Sequence, residues 1–358
     1  MNNNRMKKVL KSMKEENIEQ LIISDGASIY YLTDLWIHSQ ERMLVLMLCL
    51  EKEPMLFVNE LFPIPECQEF TTIRYNDTDD PIRILEKHIT EGKRIGIDKN
   101  WPARFLIGLL KASPELKVEN GSYIVDRIRM IKEPEEIEKM KVASKINDEA
   151  MKKLFEEISE DYTEKQMTKR LGEIYEELGA DGFSFEPIVA YGKNGANPHH
   201  TPGNDQLKEG DSVLIDIGCH KDSYASDMTR TVFYKRMSKE QEKIYRIVQE
   251  ANLAGIKAIQ IGAKFSDVDQ AVRDYIEKKG CGEYFTHRTG HSIGIEVHEY
   301  GDVSASNEEI IQGGMIFSIE PGIYLSHNFG VRIEDLVLVT DKGAKVLNHV
   351  PKEPLVVG

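Results

Sequence analysis

The chain has 358 residues, 41% hydrophobic and 30% charged, enough for two domains and too ordinary in composition for a disordered or fibrous protein. Acidic residues outnumber basic ones 60 to 46, a net charge of −14, which weighs against non-specific nucleic-acid binding, for which a basic face is the expected footprint. No run reaches the roughly eighteen apolar residues of a membrane span and MNNNRMKKVLKSMKEEN shows no export signal, so a soluble cytoplasmic protein is expected.

Arg5 to Glu16 has the spacing of a short amphipathic helix, and Gln20 to Ser24 that of a strand. Met43 to Leu50 and Met55 to Val58 read as strands, and Pro81 to Ile89 as a helix. Arg94 to Asp98 reads as a strand, with a helix after Trp101-Pro102. Alternation of this kind points to a small α/β domain over residues 1–125. From Asp126 the segment 126-DRIRMIKEPEEIEKMKVASKINDEAMKKLFEEI-158 is strongly charged and helix-favouring. Pro134 suits a helix's first turn, and Glu135 and Glu136 complement its N-terminus. The domain boundary falls near Ser122 to Lys132, and the absence of a Ser/Gly-rich linker predicts close packing of the two domains.

Further helices are predicted over Thr163–Leu178, Ser238–Gln260 and Ser266–Lys279. Strands are predicted over Ser184–Ala190, Ser212–Ile217, Tyr224–Phe233, Met315–Ile319 and Val331–Leu338. Helices between antiparallel hairpins make residues 126–358 an α+β domain. Cys49, Cys67, Cys219 and Cys281 are scattered without CxxC spacing, which argues against a zinc-thiolate site or a disulfide framework.

Carboxylates interrupt two apolar hairpins. In 213-VLIDIGCHKDSYASDMTRTVF-233, a turn between Lys221 and Asp222 sets Asp216 opposite Asp227, with Cβ atoms about 5 Å apart. Lys-Asp is not a favoured two-residue turn, and a bulge would shift this register. Buried together, the pair needs a proton or a cation, and one or two divalent metals are the economical solution; a single aspartate at a solvated strand end is the plain alternative. In 315-MIFSIEPGIYLSHNFGVRIEDLVLV-339, a loop centred on His327 sets Glu320 opposite Glu334, more loosely because Pro321 ends any regular ladder. Between the hairpins, 287-HRTGHSIGIEVHEYGD-302 supplies His291 and His298. Carboxylates with an imidazole form an oxygen-rich set suited to Mn²⁺, Co²⁺ or Zn²⁺, with oxygen dominance favouring Mn²⁺.

The words LIDIG, YASDMTRT, GHSIGIEVHE, SIEPGIY and VRIED carry Asp216, Asp227, His291, Glu320 and Glu334 in order. Over about residues 130 to 350 they resemble the five-ligand site of the methionine aminopeptidase, aminopeptidase P and prolidase superfamily, which has the pita-bread fold. The extra N-terminal domain is more similar to Xaa-Pro dipeptidases (prolidases) than to the longer aminopeptidases P, and 31-YLTDLWIHSQERMLVL-46 resembles a loop of lactic-bacterial prolidases. The resemblance implies hydrolysis of the bond preceding proline by a hydroxide bridging two metals, and it implies a homodimer. It makes Asp216 a ligand of one metal, His291 and Glu320 ligands of the other, Asp227 and Glu334 bridges, and Glu320 also the general base. His298 and His199, in 191-YGKNGANPHHTPG-203, are implied as substrate-binding and oxyanion-stabilising groups, with His200 a bystander. Tyr324, Thr229 and Arg332 are implied to orient the ligand carboxylates, with Tyr324 and Arg332 also implied to bind the substrate.

Two departures stand out. Ser223 replaces a usual glycine, and no arginine follows His298-Glu299-Tyr300-Gly301-Asp302, where many prolidases bind the substrate carboxylate. Arg42 is therefore expected to reach that carboxylate across a dimer interface, the alternative being a solvated surface residue. A non-catalytic binding module on the same fold is the competing class, and the complete ligand set speaks against it.

Overall fold

The computed structural model describes residues 2–65 and 69–358, so Cys67 lies outside the described residues. Two units divide the chain between Arg129 and Met130. In the first, six strands form one mixed sheet in the order Thr71–Tyr75, Lys52–Asn59, Val45–Cys49, Gln20–Ile23, Ile95–Ile97 and Val118–Asn120. Gln20–Ile23 pairs antiparallel with Val45–Cys49 and parallel with Ile95–Ile97. Every residue of Gln20–Ile23 and Val45–Cys49 is buried, which fits the apolar runs Leu21–Ile23 and Val45–Cys49, and the buried Gln20 side chain is paired with the Thr90 backbone. The helix Gly26–Thr33 was not expected, because six of its eight residues are buried and no polar stripe marks a period. Asp25 begins it by accepting from Ser28 N, and Asp34 ends it at a φ of 62°.

The second unit repeats one arrangement, a helix pair laid on antiparallel strands. Pro134–Glu157, with its proline in the first turn, and Glu164–Leu178 pack on Ile188–Tyr191, Ser212–Ile217 and Met228–Tyr234. Lys239–Ala258 and Phe265–Lys278 pack on Gly322–Leu325, Phe329–Arg332, Ile316–Ile319 and Asp335–Thr340. Thr163 and Ser238 close capping boxes at the helix starts that they were expected to mark. The result is the α+β architecture expected.

Strand period then decides which side chains face away from the helices. Val213, Ile215 and Ile217 pack toward the first helix pair, so Leu214 and Asp216 project from the opposite face, where Leu214 meets Ala190 and Tyr324. Phe317, Ile319, Val337 and Val339 pack against the second pair, which leaves Ser318, Glu320 and Glu334 on the other side.

The register of the first hairpin corrects the expectation. Its turn is Asp222-Ser223, both at positive φ (50° and 68°), as a two-residue turn between twisted strands requires. Lys221 therefore pairs with Tyr224, and Asp216 with Thr229 instead of Asp227. Asp227 lies in a break between Tyr224–Ala225 and Met228–Tyr234, so the strand predicted over Tyr224–Phe233 is split. A slip of two residues preserves the face, and Asp216 and Asp227 still line one cavity, as diagonal neighbours. The positive φ of Ser223 is also the physical reason a glycine is usual there.

The second hairpin keeps its expected register. Gly322 pairs with Arg332 and Leu325 with Phe329 around His327, itself at a φ of 61°. Beyond Pro321 the same register resumes at Ile319 and Asp335. Glu320-Pro321 and Ile333-Glu334 form facing gaps in the ladder, so the strand predicted over Val331–Leu338 is two strands. The strand predicted from Ser184 begins only at Ile188.

Candidate active site

Asp216, Asp227, His291, Glu320 and Glu334 line one cavity of about 640 Å³, together with His199, His298 and Arg332. His291 is carried there by Gly290–Ser292, which lies so close to Ile316–Ile319 that a Cβ on Gly290 would stand 1.9 Å from Ser318 O. Only glycine permits that approach. Ser318 Oγ accepts from His291 N at 3.0 Å. His291 Nδ1 lies 3.2 Å from the Ser292 carbonyl, which can only accept, so Nδ1 holds the proton and Nε2 is a free lone pair. That Nε2 faces Asp227 Oδ2 and Glu320 Oε1, each at 3.6 Å. Burial, with His298 alongside, pushes the His291 imidazole down to about 3 and keeps it neutral.

Donor atoms of Asp227, His291 and Glu334 lie within 4.8 Å of one another. Asp216 Oδ1 and Asp227 Oδ1 are buried and accept no hydrogen bond. Burial first, and neighbouring carboxylates second, raise Asp227 and Glu334 well above the usual carboxylate range, while burial brings Glu320 to about 7. Buried oxygens without donors beside a neutral imidazole need a proton or a cation, and this donor set fits the divalent metals that the sequence pattern implies.

A polar network fixes the outer edges of these carboxylates. Thr229 Oγ1 donates to Glu334 Oε2 at 2.8 Å and accepts from Arg332 Nε at 3.0 Å. Arg332 Nη2 donates to Asp216 Oδ2 at 2.6 Å, and Nη1 to the Tyr324 hydroxyl at 2.9 Å. Tyr324 donates in turn to His287 Nε2 at 2.8 Å, because His287 Nδ1–H is spent on the Arg288 carbonyl. Burial holds His287 neutral by lowering it to about 4. Thr229 and Arg332 thus bond Glu334 and Asp216 directly, whereas Tyr324 reaches these carboxylates only through Arg332.

His298 stacks obliquely on His291, with ring centroids 4.2 Å apart. Its neighbour Glu299 anchors that segment by accepting from Ile295 N at 2.9 Å and pairing with the buried Lys132 at 3.0 Å. His199 reaches the cavity on a loop gripped from behind by Glu164. Fully buried, Glu164 accepts from Tyr191 N (2.9 Å), Asn194 Nδ2 (2.8 Å) and Gly203 N (2.8 Å), and lies 2.7 Å from His200 Nε2. His200 therefore helps to anchor the loop that delivers His199. Replacing Glu164 by Gln turns one acceptor oxygen into a donor facing other donors. We expect kcat/KM for the reaction of this site to fall about tenfold with metal content unchanged. Unchanged kinetics would separate Glu164 from the placement of His199.

Arg42 belongs to the first unit. Its Nε and Nη2 donate to Asp77 at 2.8 and 2.9 Å, and its Nη1 lies 2.9 Å from Glu41. Sequence reasoning missed His287, Arg288 and Glu164. The first two stand in the word HRTGH, which ends at His291. Glu164 carried no signal, since an acidic residue in a helix's first turn is commonplace.

Residues 138–341 match metallopeptidase family M24, and residues 5–131 match the creatinase/prolidase N-terminal domain. The chain is 32% identical over 357 residues to an uncharacterized peptidase of Staphylococcus aureus (strain MW2), covering 97% of this chain and 99% of that protein. Among solved structures it is similar to a prolidase from Thermococcus sibiricus, with a TM-score of 0.94, 35% identity and 100% of both chains covered. It is also similar to a dipeptidase from Pyrococcus horikoshii OT3, with a TM-score of 0.91, 34% identity, and 99% of this chain and 100% of that one covered. Family match, full-length relatives and the convergent carboxylates agree: the chain belongs to metallopeptidase family M24, with a creatinase/prolidase N-terminal domain preceding a pita-bread peptidase domain.

Proposed function

We propose that the chain is an Xaa-Pro dipeptidase that hydrolyses the peptide bond preceding proline. Asp216, Asp227, His291, Glu320 and Glu334 would hold two divalent metals, Mn²⁺ foremost, with Co²⁺ or Zn²⁺ as alternatives. The observation that carries this reading is the convergence of these residues with His199 and His298 on one cavity. When bound, the metals supply Lewis acidity and make water a nucleophile at neutral pH.

The chain's own residues supply the rest. Arg332 and Thr229 hold the outer oxygens of Asp216 and Glu334, so the remaining oxygens are aimed inward without reorganisation. Glu320, whose carboxylate faces the cavity beside His291, would remove a proton from the attacking water and return it to the leaving nitrogen. His298 and His199 are placed to hold the substrate and to donate to the oxyanion that forms at its carbonyl. A homodimer acting in the cytoplasm belongs to the same reading. A role for Arg42 at the substrate requires it to give up both bonds to Asp77.

The test compares Ala-Pro with Ala-Pro-Ala at equal metal loading, after EDTA treatment and after Mn²⁺ addition. Hydrolysis of Ala-Pro that EDTA abolishes and Mn²⁺ restores is the expected result. Comparable cleavage of the tripeptide would replace the dipeptidase by an aminopeptidase P. No hydrolysis of any Xaa-Pro bond at full metal occupancy would leave a binding module.

A further inference from the structure

Two guanidinium groups line the cavity, those of Arg332 and Arg288. Arg332 is committed: its three nitrogens donate to Thr229, Tyr324, the Pro198 carbonyl and Asp216. Arg288 is different. Its side chain is exposed and makes no hydrogen bond or ion pair among the described residues. It lines the same cavity as His291, His298 and Glu320.

The backbone beneath Arg288 is firm. Thr289 N donates to the Val303 carbonyl at 2.9 Å, and Thr289 O accepts from Glu320 N at 2.8 Å. Thr289 Oγ1 donates to the buried Asp269 at 2.7 Å. The arginine is thus a long arm on a fixed base, with a planar fork and no protein anion to fill it. Such a fork is matched by a carboxylate, which it binds with two parallel bonds.

We propose that Arg288 binds the C-terminal carboxylate of the peptide and thereby limits the substrate to two residues. The assignment rests on the Xaa-Pro peptidase reading and accounts for the missing arginine after His298-Glu299-Tyr300-Gly301-Asp302. A peptide extended past proline presents a neutral amide at this point and forfeits the charge-assisted pair. Arg332 does not serve instead, because each of its nitrogens already has an acceptor.

The experiment measures kcat/KM of the Mn²⁺-loaded full chain on Ala-Pro and on Ala-Pro amide, for wild type, Arg288→Met and Arg288→Lys, with metal content and Tm recorded for each. Wild type is expected to prefer the free acid by about 10- to 100-fold. In Arg288→Met that ratio falls toward one, mainly through KM on Ala-Pro, and Arg288→Lys restores part of it. A ratio in Arg288→Met equal to that of wild type overturns this assignment and leaves the peptidase reading intact. Wild-type enzyme that hydrolyses neither compound overturns both. Arg288→Lys that retains metal and Tm but behaves like the methionine variant, with the wild-type ratio kept in both, excludes Arg288 even if one variant were poorly folded.

Discussion

Replacing Glu320 by Gln is expected to lower kcat for Xaa-Pro hydrolysis by about 10³-fold, within the range that a positioned acid–base group contributes. The substitution changes one oxygen for an amide nitrogen and leaves the volume unchanged, so the gap it occupies in the ladder is preserved. Ser318 Oγ, 3.2 Å from Glu320 Oε1, still finds an acceptor if the amide oxygen takes that place. Only the ability to take a proton is removed outright; affinity for the cation is weakened. The two effects separate by titration with Mn²⁺. Activity that returns to the wild-type level at high metal would make Glu320 a ligand alone. A deficit that persists at full occupancy identifies it as the base. KM is expected to change less than kcat, because the proton transfer belongs to the transition state.

The second large effect is on stability. In the metal-free protein, burial and mutual repulsion raise Asp227 and Glu334 well above the usual carboxylate range, and burial brings Glu320 to about 7. Each group binds its proton more tightly folded than unfolded. The stabilisation that follows is complete below the unfolded carboxylate pKa, and it is lost as pH rises through about 7 for Glu320, with the raised Asp227 and Glu334 acting in the same direction. The Tm of EDTA-treated protein should therefore fall between about pH 5 and about pH 8. A divalent cation takes the place of the protons. Saturating Mn²⁺ should raise Tm by about 5–10 °C, more at the higher pH. Thermal unfolding followed by circular dichroism, with and without EDTA, checks both signs. A Tm that rises with pH in the metal-free protein, or one indifferent to Mn²⁺, would contradict the buried cage.

Both effects depend on side chains whose direction was legible in the sequence. Strand alternation is local, because successive Cβ atoms point to opposite faces whatever the partner strand does. From Val213, Ile215 and Ile217 it follows that Asp216 turns away from the packed face, and the same count applies to Glu320 and Glu334. The register of the second hairpin was legible too, since Gly322 to Arg332 close around a short loop whose length sets the pairing. Helix starts at Thr163, Ser238 and Pro134 were legible because a cap satisfies orphan N–H groups within one turn.

The tertiary structure decided what depends on residues distant in the chain. The turn at Asp222-Ser223 moved the pairing of Asp216 from Asp227 to Thr229, and no neighbouring residue announced that the backbone would take positive φ at both positions. The helix Gly26–Thr33 escaped notice because its surroundings bury it on nearly every side and erase the polar stripe that marks a helix. Glu164 became an anchor only when helix, strand and loop brought Tyr191, His200 and Gly203 to one carboxylate. Arg332 and Arg288 are the same residue type in neighbouring motifs, yet the first is fully bonded and the second lines the cavity without a side-chain partner among the described residues. The sequence by itself determined which residue types stood ready and which faces they occupied, because propensity and alternation act over a few residues. Which of them meet, and which charges stay free for a substrate, was decided by packing between segments about a hundred residues apart, as in the bond from Arg332 to Asp216.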